Sequence, residues 1–220
     1  MGERRVVLGD DRIVVKENKS YLILKRMVDI FGSIVGLLIS LPGILIIVVL
    51  IKFEDGGPII FKQTRIGKNG KKFFIYKFRS MRVDAEEIKA KLLSKNEISG
   101  AMFKMKDDPR VTKIGKFIRK TSLDEIPQFI NVLKGDMSLV GPRPPLAEEV
   151  EVYTDYELQR LLVTPGLSGL WQVSGRSNVS FMEMVSLDLK YIQTRTILLD
   201  FFIIFKTIAN MLKTKKNGAF

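Results

Sequence analysis

Ile30-Phe-Gly-Ser-Ile-Val-Gly-Leu-Leu-Ile-Ser40-Leu-Pro42-Gly-Ile-Leu-Ile-Ile-Val-Val-Leu-Ile51 is the stretch on which the fold turns. It runs for about 22 residues without a charge, the length of one membrane helix, with Lys25, Arg26 and Asp29 before it and Lys52 after it. Ser40, Pro42 and Gly43 fall in its middle and predict a break there. Two readings follow. A kinked helix crossing the bilayer is favoured by length; a re-entrant helix-break-helix dips into one leaflet and returns. Basic residues on both flanks favour the second, because Lys and Arg mark the cytoplasmic side and here both ends carry them.

Before this stretch, residues 1–20 are polar and mixed in charge and read as an extension. They fit no signal peptide, since the long apolar run begins only near Ile30 and no small-residue cleavage site follows it. After it, apolar and polar residues alternate from Gly56 to Met81, and Asn69-Gly70 suits a hairpin between two short strands. Val83–Leu93 is charged and helix-favouring, and Lys95–Asp108 reads as a polar loop. Asp108–Arg119 leads into a helix anchored by Val111, Ile114 and Ile118. The best helical period follows: Ile126, Phe129, Ile130 and Leu133, with Gly135 placed to end it. Glu148–Leu162 and Phe181–Ile192 read as two more helices. Ile197–Leu212 is mostly apolar but carries Asp200 and Lys206, too short and too charged to span, so it predicts a helix lying on the protein or in the membrane interface, followed by the basic Lys213–Lys216.

The expected fold class is therefore α+β, a helix-rich single domain with a small β-hairpin or sheet. Its expected divisions are an extension (1–20), a re-entrant membrane helix (21–55), a cytoplasmic catalytic domain (56–196) and an interfacial amphipathic helix with its basic tail (197–220). Composition narrows the chemistry. Lys and Arg number 36 against 24 Asp and Glu, a net charge of +12, which points to a polyanionic partner: nucleic acid, anionic lipid or a phosphorylated substrate. With no Cys and no His, a Ser-His-Asp triad, a Cys nucleophile, a zinc site and a disulfide are all excluded. Carboxylates, Lys, Arg, Tyr or an oxygen-ligated metal such as Mg²⁺ or Mn²⁺ remain.

Ser122-Leu-Asp124-Glu125-Ile-Pro127-Gln128 precedes the best-patterned helix. Ser122 and Glu125 have capping-box spacing, and Asp124 could itself cap, with Pro127 in the first turn. The same position suits a carboxylate kept ionised by the helix dipole beside bound phosphate, so Asp124 and Glu125 are candidates for nucleophile and metal ligand. Pro142-Arg143-Pro144-Pro145 holds Arg143 in a stiff segment, suited to bidentate phosphate contact or to a solvated polyproline turn. Pro165-Gly166 through Arg176 is a glycine-punctuated loop with Trp171 and Gln172, either ligand-binding or a tight connection.

These segments together resemble the monotopic bacterial polyprenyl-phosphate phosphoglycosyl transferases, the bacterial sugar transferase family, over roughly Tyr21–Leu212. The motifs are Lys25-Arg26 and Asp29 before the Pro-broken helix, Gln63-Thr-Arg65-Ile-Gly67, Tyr76-Lys77-Phe78-Arg79-Ser-Met81, Leu123-Asp124-Glu125, Asn131 through Ser138, Gly141-Pro-Arg143-Pro144, and Pro165-Gly166 through Arg176. One departure is Leu41, which separates Ser40 from Pro42 where the family often has Ser directly before Pro.

The resemblance implies transfer of a sugar-1-phosphate from a UDP-sugar to a polyprenyl (undecaprenyl) phosphate, with UMP released and Mg²⁺ required, at the cytoplasmic face of the bacterial inner membrane. It implies Asp124 as nucleophile and Glu125 as metal-holding partner, phosphate-binding roles for Arg119, Arg143 and Arg176, and a functional role for Asp188. Lys77, Arg79 and Gln172 stand in its motifs as substrate-binding candidates. Phosphorylated substrates and membrane lipid then account for the basic excess without nucleic acid. The alternative is a membrane-tethered, non-enzymatic binder of anionic lipid or nucleic acid; release of UMP from a UDP-sugar separates the two. The sugar and the oligomeric state are not written in these motifs.

Overall fold

The computed structural model describes residues 12–15, 18–85, 87–88, 108–175 and 179–212. Helix α1 spans Lys19–Asp55, and a hairpin of β1 (Ile60–Ile66) and β2 (Lys72–Phe78) follows. Next come α2 (Lys113–Lys120), a 3₁₀ turn (Leu123–Glu125), α3 (Gln128–Lys134) and β3 (Ser138–Val140). The chain continues through α4 (Ala147–Glu151), α5 (Asp155–Leu158), a 3₁₀ turn (Gln159–Leu162), β4 (Gly166–Ser168) and α6 (Leu170–Ser174). It closes with α7 (Phe181–Thr194) and α8 (Ile197–Leu212). This is the expected helix-rich architecture with little sheet. The Lys95–Asp108 loop lies outside the described residues except for Asp108, as do most of Val83–Leu93 and the Lys213–Lys216 tail.

The hairpin forms where Asn69-Gly70 predicts it. Both residues take positive φ, 56° and 78°, as the tight reversal between twisted strands requires. β1 and β2 pair antiparallel from Ile60↔Phe78 to Ile66↔Lys72, burying Phe73, Ile75 and Phe78. A second ladder joins β3 and β4 in parallel, Ser138↔Gly166 and Val140↔Ser168. It was not foreseen, because three-residue strands leave no alternation to read.

Two expectations about helices change. The Glu148–Leu162 helix is divided, because Thr154 accepts from the Glu157 main chain while Glu157 accepts from the Thr154 N–H, a capping box that starts a new helix. The predicted break at Pro42 does not divide α1. Its 37 residues run helical from the Asn18 cap to the Gly56 cap, with Ser40 and Pro42 inside. A proline removes one backbone bond, and the turns on either side hold the helix through it.

α1 is docked on the rest of the chain at both ends. Near its start, Lys25 Nζ donates to Asp200 (2.9 Å), Tyr191 (3.2 Å) and the Val140 carbonyl (2.9 Å). Arg26 donates to the Val132 and Leu133 carbonyls and so satisfies the open C-terminal end of α3. Asp29 accepts from Ser138 Oγ and the Leu139 N–H, both at 2.9 Å. At its far end, Glu54 accepts from the Lys113 and Ile114 N–H groups at the start of α2, and Asp55 pairs with Arg79. Between them, Gly36 lets Phe129 approach so closely that a Cβ there would meet the ring at 2.7 Å.

Three apolar clusters carry the packing. Ile47 and Ile51 of α1 meet Phe78, Ile118 and Ile126. Phe73 and Ile75 of β2 meet Val132 and Met137. Val140, Val163, Val173, Val185, Leu189, Tyr191, Ile192 and Ile203 form the third, with Ile13 and Val15 of the N-terminal arm against it. The opposite face of α1 stays exposed at Ile23, Met27, Phe31, Leu38, Ile39, Leu45, Ile46 and Phe53. α8 packs beside α1 and exposes Leu198, Phe201, Phe202, Phe205 and Ile208, a stripe of helical period.

Candidate active site

The 3₁₀ turn that carries Asp124 and Glu125 is pinned from both sides, since Leu123 and Ile126 pack into the cluster built on α1, β2 and α2. Ser122 enters it at φ 57°, a left-handed conformation rare for a residue with a side chain. The capping expectations are not met. Ser122 makes no side-chain cap bond, and α3 starts only at Gln128, with Pro127 at its cap position. Drawing Leu123 and Ile126 inward tightens this segment into a separate turn, which leaves Asp124 only 8% exposed.

Lys77, on β2, reaches this turn with Nζ 2.7 Å from Glu125 Oε1 and 3.8 Å from Asp124 Oδ2. Burial raises Asp124 to about 6 against the opposing pull of Lys77, and the Glu125 charge adds to the rise. A carboxylate held low by a helix dipole was expected; desolvation wins because Asp124 lies inside a short turn rather than in the first turn of α3. Burial also pushes Glu125 up, but the Lys77 charge and hydrogen bond outweigh it and hold Glu125 below the usual range.

Three arginines complete the surroundings. Arg119, in the last turn of α2, donates from Nε to Ser80 Oγ at 2.9 Å, and its charge bears on Asp124. Arg143 lies in the proline segment after β3, where its charge acts on Glu125 and its Nη1 is 3.7 Å from Glu149. Arg65, on β1, donates to the Pro144 carbonyl (3.1 Å) and to Gln63 (2.8 Å). Burial, reinforced by the like charge of Arg143, lowers Arg65 to about 10. The arrangement is a buried carboxylate in a cationic surround, the chemistry that binds phosphate groups and offers an oxygen nucleophile to them.

The bacterial sugar transferase family pattern matches residues 20–214, nearly the whole chain and all of these positions. The chain belongs to that family. It is 53% identical over 215 residues to "Galactosyl transferase CpsE" of Streptococcus agalactiae serotype III, which covers 94% of this chain and 47% of the relative. It is 46% identical over 207 residues to "Undecaprenyl-phosphate galactose phosphotransferase" of Salmonella typhimurium, covering 92% of this chain and 43% of the relative. "Exopolysaccharide production protein ExoY" of Rhizobium meliloti is 42% identical over 188 residues, 84% of this chain and 83% of the relative. The chain thus spans about half the length of the first two.

The Mg²⁺ that the family resemblance implies would find few protein ligands here. No cluster of three or more Asp and Glu side chains able to hold a metal occurs among the described residues. Asp124 and Glu125 supply two adjacent carboxylates, and one or two carboxylates completed by substrate phosphates is how Mg²⁺ is commonly held. The donor set fits Mg²⁺ in that form, with Lys77 as the cation it must share Glu125 with.

Not every residue singled out in the sequence gathers at the turn that carries Asp124 and Glu125. Arg79 is buried and paired with Asp55, so it ties β2 to the end of α1. Asp188 is fully buried on α7 against Arg160, whose Nη2 is 2.8 Å away. Burial raises Asp188 to about 6 despite that partner. Gln172 sits in α6 and donates to the Leu167 carbonyl at 3.4 Å. Arg176 lies outside the described residues. Roles for Arg65, Glu149 and Arg160 were not anticipated from sequence. Arg65 stood in a quoted motif without a role; Glu149 and Arg160 fell inside the expected Glu148–Leu162 helix without one, and tertiary packing turns both inward.

Proposed function

We propose that this chain transfers a sugar-1-phosphate from a UDP-sugar to a polyprenyl phosphate through a phosphosugar bound to Asp124. The observation that carries it is Asp124 itself, a buried carboxylate 3.8 Å from Lys77 Nζ with the Arg119 charge bearing on it. It is largely ionised at neutral pH, poorly solvated, and next to cations that attract a diphosphate. An Asp124 oxygen attacks the phosphorus that carries the sugar, the bond from that phosphorus to the bridging oxygen breaks, and UMP leaves with that oxygen. An oxygen of polyprenyl phosphate then attacks the same phosphorus. The carboxyl-phosphate bond breaks, and Asp124 is regenerated as carboxylate.

Lys77, Arg119 and Arg143 hold the phosphates and balance their charge, and Arg65 braces the Arg143 segment through Pro144. Asp124 and Glu125 would hold Mg²⁺, which supplies further charge neutralisation on the diphosphate. The names of two relatives make UDP-galactose the first donor to test.

A one-sided membrane position is part of this proposal. A spanning helix would hold its ends across about 30 Å of hydrocarbon, yet the charged staples at both ends of α1 engage one body. That body would have to lie inside the bilayer. α1 held in the cytoplasmic leaflet as one helix, its exposed apolar face toward the hydrocarbon and the apolar stripe of α8 in the interface, avoids this.

The experiment is a single-turnover assay with enzyme and UDP-galactose without acceptor. One equivalent of UMP and a gain of one hexose-phosphate in intact mass are expected, and Asp124→Asn should give neither. UMP release that waits for polyprenyl phosphate would replace the covalent route with direct transfer.

A further inference from the structure

A cavity of about 510 Å³ opens between the first turn of α1 and the junction of α7 with α8, lined by Asn18, Ser20, Tyr21, Leu24, Thr194 and Arg195 among others. None of its lining residues belongs to the site around Asp124. Its walls are of two kinds. Leu24 and Ile197 are apolar and stand where the exposed stripes of α1 and α8 begin, beside Ile23 and Leu198. Ser20, Thr194, Thr196 and Arg195 supply the polar groups of the lining.

Arg195 is the charge of this cavity. Its guanidinium lies over the Tyr21 ring, 5.5 Å from the centroid, and its buried Nε has no hydrogen-bond acceptor. No carboxylate forms an ion pair with it among the described residues. The Asp200 carboxylate is already engaged by Lys25, Tyr21 and Tyr191. A planar donor fork stacked on an aromatic ring, with hydroxyls nearby and an apolar exit between two lipid-facing stripes, complements a phosphodiester that carries acyl chains.

We infer that this cavity binds the headgroup of an anionic phospholipid, with Arg195 on its phosphate and the acyl chains leaving past Leu24 and Ile197. The site fixes how deep α1 and α8 sit in the leaflet, and it acts without the catalytic residues.

Native mass spectrometry of the full chain in detergent, titrated with phosphatidylglycerol or with inorganic phosphate, tests this. One phosphatidylglycerol should be retained per chain and inorganic phosphate should not. Arg195→Gln should weaken retention at least about fivefold, the effect of one basic residue at an anionic surface. Arg195→Lys should recover only part, while Lys190→Gln, which removes an equal charge from an exposed position on α7, should change nothing. Single-turnover UMP release, measured in parallel, should persist in Arg195→Gln, which shows that the variant is folded and separates this outcome from failure of the catalytic proposal. Equal losses in Arg195→Gln and Lys190→Gln would reduce the effect to overall charge and overturn the site. Retention of inorganic phosphate alone would overturn the lipid assignment.

Discussion

Burial lifts Asp124 to about 6 even with Lys77 at 3.8 Å, and this sets two expectations. The single-turnover rate should rise with pH through about 6 and level off above it, as the nucleophile loses its proton. Lys77→Met removes the nearest charge that favours the ionised form and should move this limb to higher pH, whereas Lys77→Arg should leave it close to its place. An unmoved limb in Lys77→Met would assign the titration to another group. Stability has the opposite sign. A folded carboxyl that holds its proton more tightly than in the unfolded chain makes the fold less stable as pH rises from about 4 to about 6. Asp124→Asn should therefore abolish turnover yet stabilise the protein at pH 7 by up to about 3 kcal/mol, because each pH unit between the unfolded and folded titrations is worth about 1.4 kcal/mol. The gain should vanish below about pH 4, as denaturant unfolding at both pH values would report. Arg143→Ala should cost about 2 to 4 kcal/mol in kcat/KM, and Arg143→Lys should recover little, because a point charge cannot reproduce the planar fork.

Elements place these residues by close approach. α2 presses against the exit of β2 at Gly115, where an added Cβ would lie 1.9 Å from the Ser80 carbonyl oxygen. The obstacle is backbone, so it cannot rotate aside. Gly115→Ala should destabilise by about 1 to 3 kcal/mol, the range for overpacking. It should also lower turnover, since α2 carries Arg119 and the Arg119 bond to Ser80 crosses the same contact. Equilibrium unfolding and kcat measured on one preparation check both. The hairpin's reversal, by contrast, was legible in advance, because Asn69-Gly70 states it locally; its inward face, Phe73 and Ile75, was set by packing, since Phe74 and Tyr76 are aromatic as well. β3 and β4 were not, because each satisfies its backbone groups only on a partner 28 residues away in register, Ser138 on Gly166.

At the scale of the whole molecule, the proposed one-sided membrane arrangement rests on docking rather than hydropathy. Lys25, Arg26 and Asp29 read in sequence as flanking charge, but their side chains bind β3, α3 and α8. With no Cys in the chain, single cysteines placed at Ser20 and Asn69 can be labelled from either face of membrane vesicles. Both should react from the same side. Labelling of Ser20 only from outside and of Asn69 only from inside would mean that α1 crosses.

What the amino-acid sequence determined alone was whatever is encoded locally: the apolar length of α1, the Asn69-Gly70 turn, the helical period after Ile126, and a chemistry restricted to carboxylates, Lys and Arg by the absence of Cys and His. Each depends on residues a few positions apart. Tertiary structure alone decided the electrostatics of Asp124. Its titration near 6 depends on desolvation by packing around Leu123 and Ile126 and on a lysine from β2. It also decided that Asp188 faces the buried Arg160 and that Arg79, itself buried, pairs with Asp55, while Arg65 stands behind Arg143. Charge in a sequence has no position, and the energy of a charge is fixed by its distance from other charges and from water.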